Sequence, residues 1–500
     1  MHTAMLLEMV AEGDPDRIVV GDRQGGIRAA DLLVGARRVA AFFIEASVDY
    51  VGYFGQNADV LPTVLFGAAL AGLPFVPLNY RSTDEQLSHA LARITPGLIV
   101  TTDEERSRMT RLGATQLVAP AELDKIAALE SDTVVLPDVD ADDIAVLLFT
   151  SGTTGDPKAA VLRHRHLVAY ILGSVDFLGC ESDEAQLVSV PPYHVAGVSA
   201  VLSSLYSGRR IVYLPAFEPE TWVTTALDQG ITHAMVVPTM LGRLLVALEA
   251  RGGGVPTLRH LSYGGGRMPT ELVERAMAQL PHVDFVNAYG LTETSSTIAM
   301  LTPDDHRAAM ASDDPAARAR LASVGRPLPT LEVEIRDPDG APVAVGTTGE
   351  IWVRGDQVAG EYAGQGDGTD EGWFRTKDAG SFDEAGYLYV DGRLDDVIVR
   401  GGENISPGEV EDVLHRHPAV ADVAVIGVPD PEWGEAVAAI VVLEVGSEAS
   451  AETLREWVRT HLRSSKTPAL VTFRDELPYN ATGKLLRRVL RDEAAGITGA

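Results

Sequence analysis

Residues 144–158 read IAVLLFTSGTTGDPK, an apolar run that leads directly into a loop of glycines, hydroxyl residues and one lysine. The apolar run 144–149 predicts a buried strand, because unbroken apolar residues are typical of strands covered on both faces. Gly152 and Gly155 let backbone amides approach an oxyanion closely, and Lys158 adds a positive charge. Four residues of the loop supply hydroxyl groups: Thr150, Ser151, Thr153 and Thr154. The segment therefore predicts a phosphate cradle, although it lacks the residue order of a P-loop.

Strand and helix patterns alternate upstream of this loop. Strands are predicted at 48–54, 74–78 and 97–101, and helices at 59–71 and 84–93. A second such series runs from 186 to about 237. This alternation predicts an α/β fold, with layered and mostly parallel sheets covered by helices. The apolar run 60–80 approaches the length of a membrane span, but it contains Pro62, Pro74 and Pro77. We interpret it as a buried helix and strand, with no membrane span.

The pattern changes in the last third of the chain. Glycine and acidic residues dominate 355–392, which indicates surface turns and short antiparallel strands, and hence a small β-subdomain. Beyond it, Ser406, Pro407 and Glu409 predict a helix start with an N-cap, a first-turn proline and a capping box. Strands are expected at 420–428 and 436–444, and a helix at 452–462. We expect an N-terminal domain over 1–392, a hinge at 393–396 and a small mobile α+β domain over 397–500.

Composition limits the function classes. The chain has 500 residues, 41 of them basic and 71 acidic, for a formal net charge of −30. Such a chain is a poor general binder of nucleic acid and is repelled by anionic membranes. Its single cysteine, Cys180, excludes an intrachain disulfide and a cysteine zinc site. The first residues lack a basic segment followed by a long apolar core, so we expect no signal peptide and a cytoplasmic protein.

Four further segments carry polar residues in recognisable order. They are YGLTET at 289–294, TKD at 376–378, GRLDD at 392–396 followed by GGENI at 401–405, and PYNATGK at 478–484. Together with 144–158, they resemble the signatures of the adenylate-forming superfamily, which includes acyl-CoA synthetases, luciferases and the adenylation domains of peptide synthetases. The resemblance covers about 144 to 484, and the one departure is Lys377, where the family usually has glycine.

The resemblance implies how ATP is bound. Glu293 corresponds to a magnesium ligand, and a carboxylate oxygen suits that hard cation. Thr292 corresponds to a residue that contacts the α-phosphate, and Asp378 and Arg393 to residues that reach the ribose. Tyr289 and Gly290 belong to the same nucleotide site by resemblance, as does the whole loop from Thr150 to Lys158.

The resemblance also implies a moving catalytic lysine. Lys484 corresponds to a group that bridges the substrate carboxylate and the α-phosphate as charge develops. Preorganised charge of this kind is worth about a hundred- to a thousandfold in rate. Asp395 corresponds to the hinge about which the C-terminal domain rotates between the two half-reactions. That rotation would bring Gly401 and Gly402 to the site, where glycines leave room for the pantetheine arm of CoA.

The acid pocket is predicted from neighbouring segments. His194 matches a family position that borders the acyl group, and a structural role is about equally expected for it. The candidate wall residues are Tyr193, His194, Gly264, Gly265, Asn287 and Ala288. Peptide-synthetase domains usually anchor the substrate amine with an aspartate soon after this histidine, but 195–202 contains no acid. An amino-acid substrate is therefore disfavoured, and the small wall residues suit a fatty or an aryl acid.

These observations predict an AMP-forming acyl-CoA synthetase, an acid–thiol ligase. The expected reaction joins a carboxylic acid to ATP, releases pyrophosphate, and passes the acyl group to CoA with release of AMP; the expected cofactors are ATP, Mg²⁺ and CoA. Two alternatives remain open: loading of a carrier-protein thiol, and a non-catalytic nucleotide-binding relative. A homodimer is also left open. We expect no nucleic-acid partner.

Overall fold

The computed structural model describes residues 1–129, 135–150, 158–479 and 485–498. The helices are α1 (Ala4–Gly13), α2 (Ala29–Glu45), α3 (Val60–Leu70), α4 (Asp84–Arg93), α5 (Asp103–Arg111), α6 (Pro120–Ala128), α7 (His164–Ser174), α8 (Val195–Ser207), α9 (Pro219–Asp228), α10 (Pro238–Arg251), α11 (Thr270–Gln279), α12 (Pro303–Ala311), α13 (Pro315–Ala319), α14 (Pro407–His415), α15 (Ala451–His461) and α16 (Arg487–Thr498).

The strands alternate with these helices over much of the chain. They are β1 (Ile18–Val20), β2 (Ile27–Arg28), β3 (Tyr50–Phe54), β4 (Phe75–Leu78), β5 (Gly97–Thr101), β6 (Gln116–Val118), β7 (Ile144–Thr150), β8 (Lys158–Arg163), β9 (Ala185–Val188), β10 (Arg210–Tyr213), β11 (His233–Val236), β12 (His260–Gly264), β13 (Asp284–Leu291), β14 (Ser296–Leu301), β15 (Arg326–Pro327), β16 (Glu332–Arg336), β17 (Gly349–Arg354), β18 (Glu361–Tyr362), β19 (Gly366–Asp367), β20 (Thr369–Asp370), β21 (Trp373–Phe382), β22 (Leu388–Arg393), β23 (Ile398–Arg400), β24 (Glu403–Ile405), β25 (Val420–Asp430), β26 (Gly434–Leu443) and β27 (Leu470–Phe473).

Two large sheets form the N-terminal part. One has eight strands in the order β19-β18-β8-β7-β4-β3-β5-β6, and the other has nine in the order β15-β14-β13-β12-β11-β9-β10-β1-β2. Their central strands are parallel. Antiparallel strands complete both edges of the nine-stranded sheet and the β8-β18-β19 edge of the other, whose opposite edge strand, β6, is parallel to β5. Every residue of α3 is buried, which explains the apolar run at 60–80. The predicted layered α/β fold is confirmed, and no helix in the described ranges is long and apolar enough to cross a membrane.

A smaller antiparallel sheet follows, in the order β16-β17-β21-β20 with β22 beside β21. Its strands β20, β21 and most of β22 fall in the region 355–392 that glycine and acidic residues marked as turns and short strands, whereas β16 and β17 precede that region. In this sheet Asp378 of β21 pairs directly with Arg393, the last residue of β22. The small β-subdomain therefore brings together two predicted ribose contacts.

The last sheet contains only residues after 397, in the order β24-β23-β26-β25 with β27 beside β26. The predicted α+β character of this part is confirmed, while the domain boundaries stay a prediction. One local expectation is wrong: Ser406 precedes α14 but forms no capping box. Its hydroxyl donates instead to the backbone oxygen of Asp391 at 2.9 Å, and Glu409 pairs with Lys466. Tertiary partners thus replace the local cap.

Candidate active site

The predicted pocket residues lie where parallel strands of the nine-stranded sheet end. Gly264 ends β12 and pairs with Ala288 of β13. A Cβ at Gly264 would lie 2.3 Å from the backbone oxygen of Ala288, so no larger residue fits there. Asn287 is next to Ala288, and its side-chain amide donates to the backbone oxygen of Ser323 at 3.1 Å. Because ligands of open α/β sheets bind at the carboxyl ends of strands, this edge is suited to hold the acid.

The segment after β9 contributes Tyr193 and His194 to the same edge. The His194 ring accepts a hydrogen bond from the backbone N–H of Ala196 at 3.2 Å, and His194 is the N-cap of α8. His194 therefore has a structural role, because it caps the first turn of α8. Tyr193 is buried and packs edge-on against Tyr80, with ring centroids 5.5 Å apart. Burial raises the pKa of the Tyr193 hydroxyl to about 12, so the side chain is neutral.

Three of the predicted nucleotide residues form one hydrogen-bonded group. The Tyr289 hydroxyl donates to one oxygen of Asp378 at 2.7 Å. Arg393 donates to the other oxygen at 3.0 Å. Asp378 is only 5% exposed, which strengthens both bonds because little water competes with them. Burial and the negative charge of Asp378 raise the pKa of Tyr289 well above its usual value, so its hydroxyl remains a donor.

Lys377 precedes this aspartate in a backbone conformation that glycine adopts more readily. Its φ is +59°, in the left-handed region. A non-glycine residue there costs about 1 kcal/mol. The backbone N–H of Lys377 donates to the Glu350 carboxylate at 3.2 Å, which holds the turn. The departure from the family signature therefore leaves the position of Asp378 in the sheet intact.

Glu293 lies on a short 3-10 turn, Thr292–Thr294, between β13 and β14. Gly290 is required just before it, because a Cβ there would lie 1.6 Å from the backbone oxygen of Ser296. Gln357, only 2% exposed, donates to the backbone oxygens of Thr294 and Thr297 at 3.0 and 2.8 Å. The turn is thus held from its buried side. Gln357 was not predicted, because it lies in a segment interpreted as surface turns.

Tyr362 is a second residue that the sequence did not single out. Its hydroxyl donates to Oε1 of Glu293, and its ring centroid lies 5.3 Å from Nζ of Lys158. Lys158 begins β8 and pairs with Thr150 at the end of β7. The two ends of the predicted phosphate loop are therefore adjacent, and Tyr362 links that loop to the predicted metal ligand. The remaining loop candidates lie outside the described residues: Ser151, Gly152, Thr153, Thr154 and Gly155.

Among the described C-terminal candidates, no hydrogen bond or ion pair joins Gly401, Gly402 or Asp395 to this group. Gly401 has φ +58°, and a Cβ there would lie 2.7 Å from the Trp433 ring. Its N–H donates to the backbone oxygen of Trp433 at 2.8 Å. Gly402 follows with φ +84°. Asp395 is exposed on the 3-10 turn Leu394–Asp396, between the last two sheets. Lys484, the predicted catalytic residue, lies outside the described residues.

The donor set suits a magnesium ion that is bound together with a nucleotide. Mg²⁺ usually takes one or two carboxylates and fills its remaining positions with water and phosphate oxygens. Glu293 offers one half-buried carboxylate that accepts from Tyr362, the residue whose ring lies against Lys158. In the part of the chain that is described, no group of three or more histidine, cysteine, aspartate or glutamate residues could form a cage of protein ligands.

Comparison with known proteins is consistent with this geometry. A family model described as "AMP-binding enzyme" matches residues 7–363, and one described as "AMP-binding enzyme C-terminal domain" matches residues 409–484. Feruloyl-CoA synthase of an Amycolatopsis species is 36% identical over 94% of each chain. The fatty acid–[acyl-carrier-protein] ligase ScoC of Streptomyces coeruleorubidus is 35% identical over 90% of this chain and 87% of its own. Among solved structures, that of the amide bond synthetase McbA from Marinactinospora thermotolerans matches with a TM-score of 0.88. The match covers 98% of this chain and 99% of that one, and the sequence identity is 28%.

Proposed function

The chain belongs to the AMP-binding enzyme family, and on that premise we propose that it is an ATP-dependent acyl-CoA synthetase acting on an aryl or a fatty acid. The observation that carries the proposal is the grouping of Lys158, Glu293 and the Asp378–Arg393 pair around Tyr289 and Tyr362. A positive charge for the phosphates, a carboxylate for a metal ion and an acceptor for the ribose hydroxyls together suit an ATP site.

In the first half-reaction, an oxygen of the acid attacks the α-phosphorus of ATP, and the bond to the pyrophosphate oxygen breaks. The product is an acyl-adenylate. Asp378 and Arg393 would hold the ribose, and Lys158 would neutralise phosphate charge. A magnesium ion at Glu293 would offset the charge on the leaving pyrophosphate. Lys484 would stabilise the charge that develops between the carboxylate and the α-phosphate.

In the second half-reaction, a thiolate attacks the acyl carbon, and the bond from that carbon to the AMP oxygen breaks. The thioester and AMP leave. CoA is the acceptor we propose, because the hinge sequence RGGENISPGEVE resembles those of acyl- and aryl-CoA ligases. A carrier-protein thiol is a second candidate, which the similarity to ScoC favours.

The test is acid-dependent exchange of labelled pyrophosphate into ATP. A panel of hydroxycinnamic, benzoic, medium-chain and long-chain acids is assayed in the absence of a thiol. Thioester formation is then measured with CoA and with a phosphopantetheinylated carrier protein. Lys484→Ala should lose about a hundred- to a thousandfold in exchange. Arg488→Ala removes an exposed charge from the same basic segment and is the matched control.

Absence of acid-dependent exchange in the parent chain would refute the proposal and favour a non-catalytic nucleotide-binding protein. Equal losses in Lys484→Ala and Arg488→Ala would refute the role of Lys484. Transfer of the acyl group to the carrier protein but not to CoA would refute CoA as the acceptor and favour the carrier-protein thiol.

A further inference from the structure

Tyr362 touches two groups that sequence signatures place in the phosphate site. Its hydroxyl donates to Oε1 of Glu293, and its ring lies against the ammonium of Lys158. No signature in the sequence includes this tyrosine. Its side chain connects Lys158, at the end of the predicted phosphate loop, to the turn that carries Glu293.

The backbone around Tyr362 is fixed on both sides. The N–H groups of Ala359 and Gly360 donate to the backbone oxygen of Glu293 at 2.8 and 3.1 Å. Tyr362 itself pairs with Ala160 of β8. The neighbouring side chain of Glu361 accepts two bonds from Arg163, each 2.9 Å long. The hydroxyl therefore reaches Glu293 from a strand that is tied both to β8 and to the Glu293 turn.

A carboxylate on a short turn can rotate, and a hydrogen bond to one oxygen restricts that rotation. Residues that orient a metal ligand in this way typically change metal affinity by about 10- to 100-fold when they are removed. A tyrosine hydroxyl is protonated at neutral pH, so it donates to the carboxylate.

We propose that Tyr362 is a positioning residue that orients Glu293 for the divalent cation bound with ATP, its hydroxyl holding one carboxylate oxygen while the other stays available to the cation. This inference rests on the proposed function, because it takes Glu293 as the metal ligand. Tyr362 acts through Glu293 and need not touch the metal or the nucleotide.

The direct test measures the affinity for Mn²⁺ in the presence of ATP and without the carboxylic acid substrate. The electron paramagnetic resonance signal of free Mn²⁺ is the readout. Tyr362→Phe keeps the ring beside Lys158 and removes only the hydroxyl. We expect its dissociation constant for Mn²⁺ to rise about 10- to 100-fold. The affinity for AMP, which lacks the β- and γ-phosphates, should remain that of the parent. In the exchange assay, the apparent KM for Mg²⁺ should rise, with near-parental rates at saturating Mg²⁺.

Tyr387→Phe is a matched control. The Tyr387 hydroxyl donates to Oδ1 of Asp305 at 2.6 Å, and the guanidinium carbons of Arg320 and Arg326 lie 4.6 and 4.1 Å from its ring centroid. This control therefore loses the same kind of tyrosine–carboxylate bond, beside cations, among residues that have no predicted role in the site. Its Mn²⁺ affinity should be unchanged.

Two results would overturn the inference. One is parental Mn²⁺ affinity in Tyr362→Phe, and the other is an equal loss of AMP and Mn²⁺ binding, which would indicate general damage to the site. A Glu293→Gln background supplies a second measurement, because Tyr362→Phe should have no further effect on Mn²⁺ binding there; an additional loss would also contradict it. If the parent shows no acid-dependent exchange, the proposed function fails, while the Mn²⁺ data still decide the role of Tyr362.

Discussion

The predicted nucleotide site around Asp378 and Glu293 and the junction between the N- and C-terminal parts are held in different ways. Around Asp378 and Glu293, tyrosine hydroxyls and buried backbone contacts fix each carboxylate. At the junction, by contrast, Arg267 of the N-terminal part forms an ion pair with Asp412 of α14, with Nη2 and Oδ2 2.5 Å apart. These side chains remain 35% and 19% exposed.

The hydrophobic clusters divide at the same place. Two clusters in the described residues draw only on residues from 398 onward, and the other four only on residues up to 390. Apolar burial therefore stabilises each part separately, and the junction depends on polar contacts that water can replace. This difference suits a site that is preorganised for ATP and a second part that changes position. The following experiments test it from the largest expected effect to the smallest.

Replacement of Asp378 should have the largest effect. Asp378→Ala removes the proposed ribose acceptor and leaves Tyr289 and Arg393 without their carboxylate. We expect about a hundredfold loss of AMP affinity by calorimetry, since hydrogen bonds to a charged group contribute about 1.5–3 kcal/mol each. Urea unfolding should show that the free energy of unfolding falls by about 2 kcal/mol. This is less than the cost of breaking a fully buried ion pair, because Arg393 is 32% exposed.

The control for that variant is Asp305→Ala. Asp305 also accepts from a tyrosine, Tyr387 at 2.6 Å, and pairs with Arg326 at 3.4 Å. It should lose stability and keep its AMP affinity. If both variants lose AMP binding alike, Asp378 acts through stability alone.

A proline at the proposed hinge should separate the two half-reactions. Asp395 lies exposed on a short turn, where proline would fix φ and restrict the preceding residue. We expect Asp395→Pro to slow thioester formation by about tenfold or more, because the hinge must change its backbone torsions, and to leave pyrophosphate exchange nearly unchanged. Asp395→Ala keeps the backbone free and should retain both rates. Equal slowing of both steps in the proline variant would contradict a role in rotation.

Low pH should reduce the free energy of unfolding of the N-terminal part, because His164 is buried there in its neutral form. Burial lowers the pKa of this side chain to about 4, and its Nδ1 accepts from the backbone N–H of Thr3 at 3.2 Å. The unfolded chain therefore takes up a proton that the folded chain does not, and stability falls as the pH drops from about 6.5 towards 4. By pH 5.5 the contribution of His164 to this loss should be about 1 kcal/mol.

Urea unfolding at pH 7.5 and 5.5 checks this prediction. His164→Asn keeps an acceptor near Thr3 but does not titrate, so its stability should depend less on pH. The same pH dependence in the parent and the variant would exclude His164 as the cause.

Local patterns carried much of the fold prediction, because apolar runs and helix caps are encoded locally. The helix at 84–93 and the strand at 97–101 have the predicted bounds. Interactions between distant segments could not be predicted. The Ser406 hydroxyl bonds to Asp391 rather than to its own helix, and Tyr362 meets Glu293 across 69 positions of the chain. The signatures marked Glu293, Asp378 and Tyr289, but only the structure showed that Tyr289 bonds to Asp378 and that Tyr362, which no signature includes, bonds to Glu293.

The Arg267–Asp412 pair should give the smallest effect and the closest test of the junction. Gly408 of α14 leaves room for this arginine, since a Cβ there would lie 2.5 Å from its guanidinium. Arg267→Ala, Asp412→Ala and the double variant form a double-mutant cycle. For a partly exposed pair, we expect a coupling of about 0.5–1 kcal/mol that decreases with salt. If the pair restrains the C-terminal part, all three variants should change the ratio of exchange to thioester formation in the same direction, by about two- to fivefold.

The control is Arg275→Ala, which breaks an exposed ion pair with Glu249, 3.2 Å long, inside the N-terminal part. It should leave that ratio unchanged. A ratio that is equally unchanged in all the variants would show that the pair does not restrain rotation.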